Sequence, residues 1–249
     1  MYFCAMDRKE WFASWFDTAY YHILYKDRDK HEAARFVKKL CQNLNLPENS
    51  NVLDLACGMG RHSLTLHNLD FNVLGADLSE NSIKQARKDA PEGLEFIVHD
   101  MRKTILGRKF DVVFNLFTSF GYFDNSDENE KVLQSVHEML KTDGRVVIDF
   151  LNAMKVVKNL EHQKVISRSG IDFHITKRFD GTHIFKEIRF EDKGQHFHFE
   201  ERVQALTLKN FKSLFQATGF DILSTFGDLE LNAFDELNSD RLILVAKKR

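Results

Sequence analysis

The spacing of apolar positions changes along the chain, and each change predicts a different kind of element. Across residues 8–25, Trp11, Phe12, Trp15, Phe16, Ala19 and Tyr20 recur at intervals that place them on one broad face of a single amphipathic helix. The polar run 26–30 interrupts that face. A second helix follows, with Ala33, Phe36, Val37, Leu40 and Leu44 on one side and Pro47 just past its end. Short apolar runs then take over at 52–56, 72–76, 94–98, 110–114 and 145–150. Each has the length of a buried strand, and helical patterns fill about 61–69, 79–90 and 128–141 between them. Strands alternating with helices predict parallel pairing through right-handed crossovers, giving an α/β sheet covered on both faces.

From about 164 to 206 the period becomes two, with turn signals at Asp180-Gly181 and Lys193-Gly194. His196 and His198 share one strand face, and Phe197 and Phe199 share the other. Consecutive hairpins predict an inserted antiparallel sheet whose apolar face needs a cover, which a substrate cleft or a second subunit would supply. A helix at 207–218, stopped by Gly219, returns the chain to the core. Strands at 220–226 and 241–246, joined by the loop 227–240 with no helix between, should be antiparallel neighbours. The expected organisation is an N-terminal helical flap (1–49), a core (50–155 and 207–249) and the inserted sheet (156–206).

Composition narrows the partners more than the fold. Thirty-five basic against 37 acidic residues leave a formal charge of −2, and no Lys/Arg run reaches the length of a nucleic-acid tail. No apolar run approaches a membrane span, and Asp7, Arg8, Lys9 and Glu10 follow the start too closely for a signal peptide. Three cysteines, Cys4, Cys41 and Cys57, give no disulfide framework. The expectation is a cytoplasmic protein with no nucleic acid and no membrane partner. His174, His183, His196 and His198 lack the Cys or carboxylate company of a metal site and read as ordinary strand residues.

The candidate chemistry gathers where the first strand breaks into Gly58-Met59-Gly60. Glycine there permits a left-handed turn and lets a ligand approach without meeting a Cβ. The dinucleotide fingerprint wants a third glycine three residues on, and Ser63 stands in its place. Asp54 lies inside the apolar run, where an acid needs a partner; a ligand ammonium near the strand end would be one. Asp77 ends the second strand, where a carboxylate can accept both ribose hydroxyls, although capping the helix that starts near Ser79 is a rival use. Asp100 ends the third strand, where it can accept from an adenine amino group while the amide of Met101 donates. Three acids at successive strand ends beside a glycine turn describe a site for a nucleoside with a positively charged tail.

The motifs Val52-Leu-Asp-Leu-Ala-Cys-Gly-Met-Gly60, Leu74-Gly-Ala-Asp-Leu-Ser79, His99-Asp-Met-Arg102 and Phe110-Asp-Val-Val-Phe-Asn115 resemble those of class I S-adenosylmethionine-dependent methyltransferases. The resemblance covers about residues 50–150, with Met59 where Thr is commoner. It implies a Rossmann-like, seven-stranded, mostly parallel sheet with an antiparallel last hairpin. It implies that Asp54, Ala56, Cys57, Gly58 and Gly60 surround the methionine part of S-adenosyl-L-methionine. Asp77 and Leu78 would hold the ribose, and Asp100 and Met101 the adenine. Asn115 and Phe117, opening the segment 115–122, would border the methyl group. A narrower resemblance, in 100–110 and 117–122, is to methyltransferases acting on amino sugars of nucleotide-linked deoxyhexoses.

A sulfonium methyl is already electrophilic, so the protein's task is to align a nucleophile and exclude water. Tyr122, and Tyr21 reaching in from the flap, are the candidates for orienting or deprotonating it; simple packing is the structural use of each. The segment 115–122 lacks the Asn/Asp-Pro-Pro-aromatic pattern of enzymes that methylate planar amides or nucleobases. Two other readings remain at this stage: a module that binds S-adenosylmethionine without turnover, and an NAD-type dehydrogenase, which Asp54 and the missing third glycine disfavour. The inserted sheet is also a candidate homodimer surface.

Overall fold

A computed structural model describes residues 11–26, 30–123 and 125–249. The readings made on residues 1–10 and on 27–29 lie outside the described residues. The aromatic stripe does not form one helix. It divides into α1 (Trp11–Trp15) and α2 (Ala19–Leu24), because Thr18 caps α2 by accepting from the Tyr21 amide at 3.1 Å. Helix α3 (Lys30–Leu44) follows, and the alternating core comes next: β1 (Asn51–Leu55), α4 (Arg61–His67), β2 (Asn72–Asp77), α5 (Glu80–Lys88), β3 (Glu95–Val98), β4 (Phe110–Asn115), α6 (Ser126–Met139) and β5 (Leu140–Leu151). A short helix, α7 (Ala153–Lys158), leads into four antiparallel strands: β6 (Gln163–Arg168), β7 (Ile171–Phe179), β8 (His183–Asp192) and β9 (Gln195–Gln204). The chain returns through α8 (Leu208–Ala217) to β10 (Phe220–Phe226) and β11 (Arg241–Lys248).

The seven-stranded sheet runs β10-β11-β5-β4-β1-β2-β3, parallel except that β11 is antiparallel to both of its neighbours. The expected last hairpin is therefore present. Strand residues alternate between two cores. Leu53, Leu55, Val113, Ile148 and Leu244 pack with Val132 and Leu133 of α6 and Phe211 and Phe215 of α8. Val52, Val112, Phe114, Val147 and Ile243 pack with Phe36, Val37 and Leu40 of α3 and Ile83 of α5. Burial on both faces is what a parallel sheet with helical crossovers requires.

The apolar face of the four-stranded sheet finds its cover within the same chain. Trp15 and Leu24 of the N-terminal helices are buried against Ile171, Phe173, Ile175, Ile188 and Phe190, with Tyr20 and Tyr21 packed alongside. Phe12 instead enters the core of the large sheet, while Trp11 and Phe16 touch both clusters. The stripe is thus a wedge between two sheets, which is why its apolar face is wider than one contact surface needs.

Candidate active site

The two glycines after β1 have different tasks. Ala56 adopts φ = 63° and Gly58 φ = 56°, while Gly60 (φ = 79°) begins α4. The amides of Ala56 and Cys57 both donate to the Ala76 carbonyl, at 2.7 and 3.1 Å, which ties the turn to β2. A Cβ on Gly60 would lie 2.4 Å from the Phe96 ring, and a Cβ on Gly75 would meet the same ring at 2.4 Å. Gly60 and Gly75 are therefore packing glycines that leave room for the Phe96 ring. A Cβ on Gly58 would meet nothing within 4 Å. Gly58 is the glycine a ligand can approach. Cys57 contributes its backbone only, since its thiol is buried in the core and burial pushes its pKa well up.

Asp54 has a partner inside the chain. Its carboxylate accepts from the Ser63 hydroxyl at 2.5 Å, fully within the strand–helix contact. Ser63, the residue in place of the third glycine, thus holds α4 onto β1. Burial raises the Asp54 pKa to about 6, against the Ser63 bond, and the nearby Asp77 charge adds to the rise. Asp77 uses both oxygens to brace the turn: Oδ2 accepts from the Gly58 amide at 2.7 Å and Oδ1 from the Ser79 amide at 2.8 Å. Burial raises its pKa too, partly offset by those two amides. The cap of α5 is Ser79, whose hydroxyl accepts from the Ser82 amide, so Asp77 is not the N-cap residue. Leu78 stands beside it, 37% exposed.

Asp100 lies in a fork that sequence reading missed. Arg102 donates Nε and Nη2 to its carboxylate, at 2.9 and 2.7 Å, and its other arm reaches Glu128 at 2.9 Å. Burial alone would lift the Asp100 pKa, but the Arg102 bonds outweigh it and hold it below the ordinary range. The Met101 carbonyl accepts from Ser135 at 2.7 Å, and its side chain packs on the core.

At the end of β4, Asn115 donates to the Leu55 carbonyl at 3.1 Å, while its buried Oδ1 meets no donor among the described residues. Phe117 and Thr118 follow with φ of 66° and 62°. Two successive left-handed residues that are not glycine cost about 1–3 kcal/mol each, so the surroundings must hold them. Asp149, fully buried at the end of β5, does so: its Oδ2 accepts from the Phe117 amide at 2.9 Å and its carbonyl from the Thr118 amide at 2.8 Å. Arg241 of β11 closes the arrangement by donating Nε to Asp149 Oδ1 at 2.7 Å and Nη2 to Thr118 Oγ1 at 3.2 Å. An acid inside the apolar run 146–150 was the available sign of Asp149, the same sign that marked Asp54. Arg241 carried none, because its partner is 92 residues away.

Tyr122 donates its hydroxyl to the Thr118 carbonyl, and its ring packs on Trp11 and Phe16 at centroid distances of 5.5 and 5.2 Å. Tyr21 packs on the other part of Phe16's surroundings, 4.9 Å from that ring, so the two tyrosines share one aromatic neighbour. The segment around Tyr122 is stitched to the four-stranded sheet by Gln204, which donates to the Gly121 carbonyl from its amide and to the Phe123 carbonyl from its side chain. His62, at the first turn of α4, is buried with Nε2 3.2 Å from Arg61. From the flap, Asp17 accepts from the Ser79 hydroxyl at 2.5 Å and from the Asn81 amide at 3.0 Å.

The residues fit S-adenosylmethionine on three counts. Two carboxylates with raised proton affinity, the buried Asp54 and the partly exposed Asp77, favour a cationic ligand. Among the described residues the Asn115 Oδ1 meets no donor, and an ammonium would supply one. Open space borders Gly58, beside an Asp77 carboxylate whose oxygens retain lone pairs for a vicinal diol.

Comparison with known proteins agrees. Residues 52–144 match the methyltransferase domain family. The dTDP-3-amino-3,4,6-trideoxy-alpha-D-glucopyranose N,N-dimethyltransferase of Streptomyces venezuelae is 35% identical over 133 residues, 52% of this chain and 54% of the relative. The chain thus spans about half the length of that relative. The putative methyltransferase YqeM of Bacillus subtilis is 27% identical over 217 residues, 82% of this chain and 86% of that one. The crystal structure of an S-adenosylmethionine-dependent methyltransferase from Clostridium acetobutylicum superposes with a TM-score of 0.79 at 22% identity, covering 92% of this chain and 96% of the other, a likeness of fold. Residues 52–144 thus match a methyltransferase domain, and the sheet topology is the fold of an S-adenosylmethionine-dependent methyltransferase structure.

Proposed function

We propose that this protein transfers a methyl group to an N or O nucleophile of a small molecule. The observation that carries the reading is Asp77, whose two carboxylate oxygens are each fixed by a backbone amide next to the open side of Gly58. A carboxylate oriented before the ligand arrives loses little entropy on binding a ribose diol. S-adenosylmethionine, when bound, supplies a methyl group already activated on sulfur. The chain's own part is to hold Asp54, Asp77 and Asn115 around the donor and to bring the acceptor in line. Tyr122, whose hydroxyl donates to the Thr118 carbonyl, would orient an incoming amine or hydroxyl from that fixed position. Tyr21 and Phe16 would close the acceptor side against water.

The finer reading is an amino sugar carried on a nucleotide, supported by the activity in the Streptomyces venezuelae relative's name. The cytoplasmic reading draws support from free, buried thiols at Cys41 and Cys57; among the described residues no helix is long and apolar enough to cross a membrane.

Calorimetric titration with S-adenosylmethionine and S-adenosylhomocysteine tests the donor half. Asp77→Ala should weaken binding by about 1–3 kcal/mol, the range of a charge-assisted hydrogen bond; no binding to the wild type at millimolar ligand would end the proposal. A panel of amines, alcohols, thiols and nucleotide-linked amino sugars tests the acceptor half. Binding without transfer to any of them would favour a cofactor-binding module.

A further inference from the structure

Arg241 lies in sequence far from every motif, yet it touches three parts of one arrangement at the methyl-bordering end of β4. Its Nε holds Asp149 Oδ1 at 2.7 Å, its Nη2 holds Thr118 Oγ1 at 3.2 Å, and its guanidinium carbon stands 5.6 Å from the centre of the Phe117 ring. Arg61, from the first turn after the glycines, faces the same ring at 4.8 Å. Asp149 is completely buried and forms its ion pair with Arg241 at 2.7 Å. The left-handed turn at Phe117–Thr118 depends in turn on Asp149, which takes both of its amides. The Thr118 carbonyl presented by that turn accepts the Tyr122 hydroxyl. A chain of direct bonds therefore runs from Arg241 through Asp149 to Phe117 and Tyr122.

We propose that Arg241 is a positioning residue for the methyl-transfer site: by clamping Asp149 and Thr118 together it holds the strained turn that sets the Phe117 ring beside the cofactor and aims Tyr122 at the acceptor. The inference rests on the methyltransferase reading. An isolated arginine at a strand start has no need of two separate acceptors in a turn that no residue but glycine adopts easily. The buried ion pair gives orientation here, since one guanidinium spans both acceptors with its planar fork.

The test is a set of calorimetric titrations with S-adenosylhomocysteine. Arg241→Gln and Phe117→Leu should each lower affinity at least several-fold, and the double variant should be little weaker than the worse single one, because both remove the same placement. Combined with Asp77→Asn, whose contact is with a different part of the ligand, Arg241→Gln should multiply the two losses. A loss of stability alone would not produce coupling with Phe117 and independence from Asp77. Thr118→Val keeps the ion pair and removes only the Arg241–Thr118 bond; it serves if Arg241→Gln does not fold, and should show the same coupling with Phe117→Leu. Unchanged affinity, or losses that multiply in the Phe117 pair, would overturn the proposal while wild-type binding kept the methyltransferase reading. Absence of binding by the wild type would overturn both.

Discussion

The proposed donor side and the N-terminal wedge on which the proposed acceptor side rests are built in different ways. On the donor side, Asp54 meets Ser63 nine residues away, and Asp77 meets Gly58 and Ser79 at separations of nineteen and two. In the wedge, Trp15 Nε1 donates to Glu201 across 186 residues, and the Tyr25 hydroxyl donates to the same carboxylate across 176. The first is local geometry imposed by one strand–turn–helix unit and its neighbour. The second exists only after two sheets and the N-terminal helices have come together. On the proposed reading this is a division of labour: a new acceptor would need changes chiefly in the contacts of the wedge rather than in the donor cradle.

The largest expected effect separates two residues within the donor side. Gly60→Ala should destabilise the fold by about 2–4 kcal/mol, since its Cβ would lie 2.4 Å from Phe96 in a left-handed backbone. Gly58→Ala meets nothing, so it should cost only about 1–2 kcal/mol of backbone strain and show its main effect on cofactor affinity. Denaturant unfolding and titration of both variants give the ranking. Equal destabilisation, with affinity falling more in Gly60→Ala, would break the assignment of packing to one glycine and approach to the other.

How much could be read before the structure follows the same division. The runs at 52–56, 72–76 and 110–114 fall within or overlap strands, because strand burial on both faces leaves an unbroken apolar stretch whose short length identifies it. Asp54, Asp77 and Asp100 stood out as acids at strand ends. Their partners did not: Ser63 looked like a missing glycine, and Arg102 entered only as the last residue of the motif that holds Asp100. The stripe from Trp11 to Tyr20 was legible as apolar, but the break at Phe16–Thr18 depends on Thr18 capping α2 and on Asp17 reaching Ser79, contacts that spacing does not encode. Nor could spacing reveal that the four-stranded sheet would be covered by that stripe, since the contact is long-range and aromatic side chains serve either sheet equally well.

Protonation gives a second, intermediate effect, and again on the donor side. A carboxylate whose pKa is raised on folding holds its proton more tightly in the folded state. The Asp54 contribution to stability is therefore present in full below the ordinary value of 3.8 and is lost as the pH rises through about 6. A cationic ligand favours the ionised form. Affinity for S-adenosylmethionine should then be level above about pH 6 and fall by up to about tenfold per pH unit below it, until the pKa of the bound state is reached. Asp54→Asn should flatten the profile over that range, apart from what Asp77 contributes. A wild-type profile that is flat from pH 7 to 5 would show that Asp54 serves only Ser63 and does not sense the ligand.

The smallest expected effect is at Asp17, where the two sides meet. Its carboxylate accepts from the Ser79 hydroxyl and the Asn81 amide, and from the Asn81 side chain at 2.7 Å, so it adds a second acceptor to the first turn of α5 from outside the helix. An acid at a helix N-terminus is favoured by the helix dipole, yet Asp17 also stands close enough to raise the proton affinity of Asp77. The two influences oppose each other when the ligand is a cation. Asp17→Ala should therefore cost about 1 kcal/mol of stability, the size of a lost cap, and leave S-adenosylmethionine affinity within about threefold of wild type, well under one such contact. Asp17→Asn should cost less, because an amide oxygen still accepts from the Asn81 amide. Denaturant unfolding followed at Trp11 and Trp15, the two tryptophans of the chain, reads the wedge directly. If Asp17→Ala lowers stability as far as Gly60→Ala, the wedge and the donor cradle unfold as one unit, and the acceptor side is not free to change without the donor side.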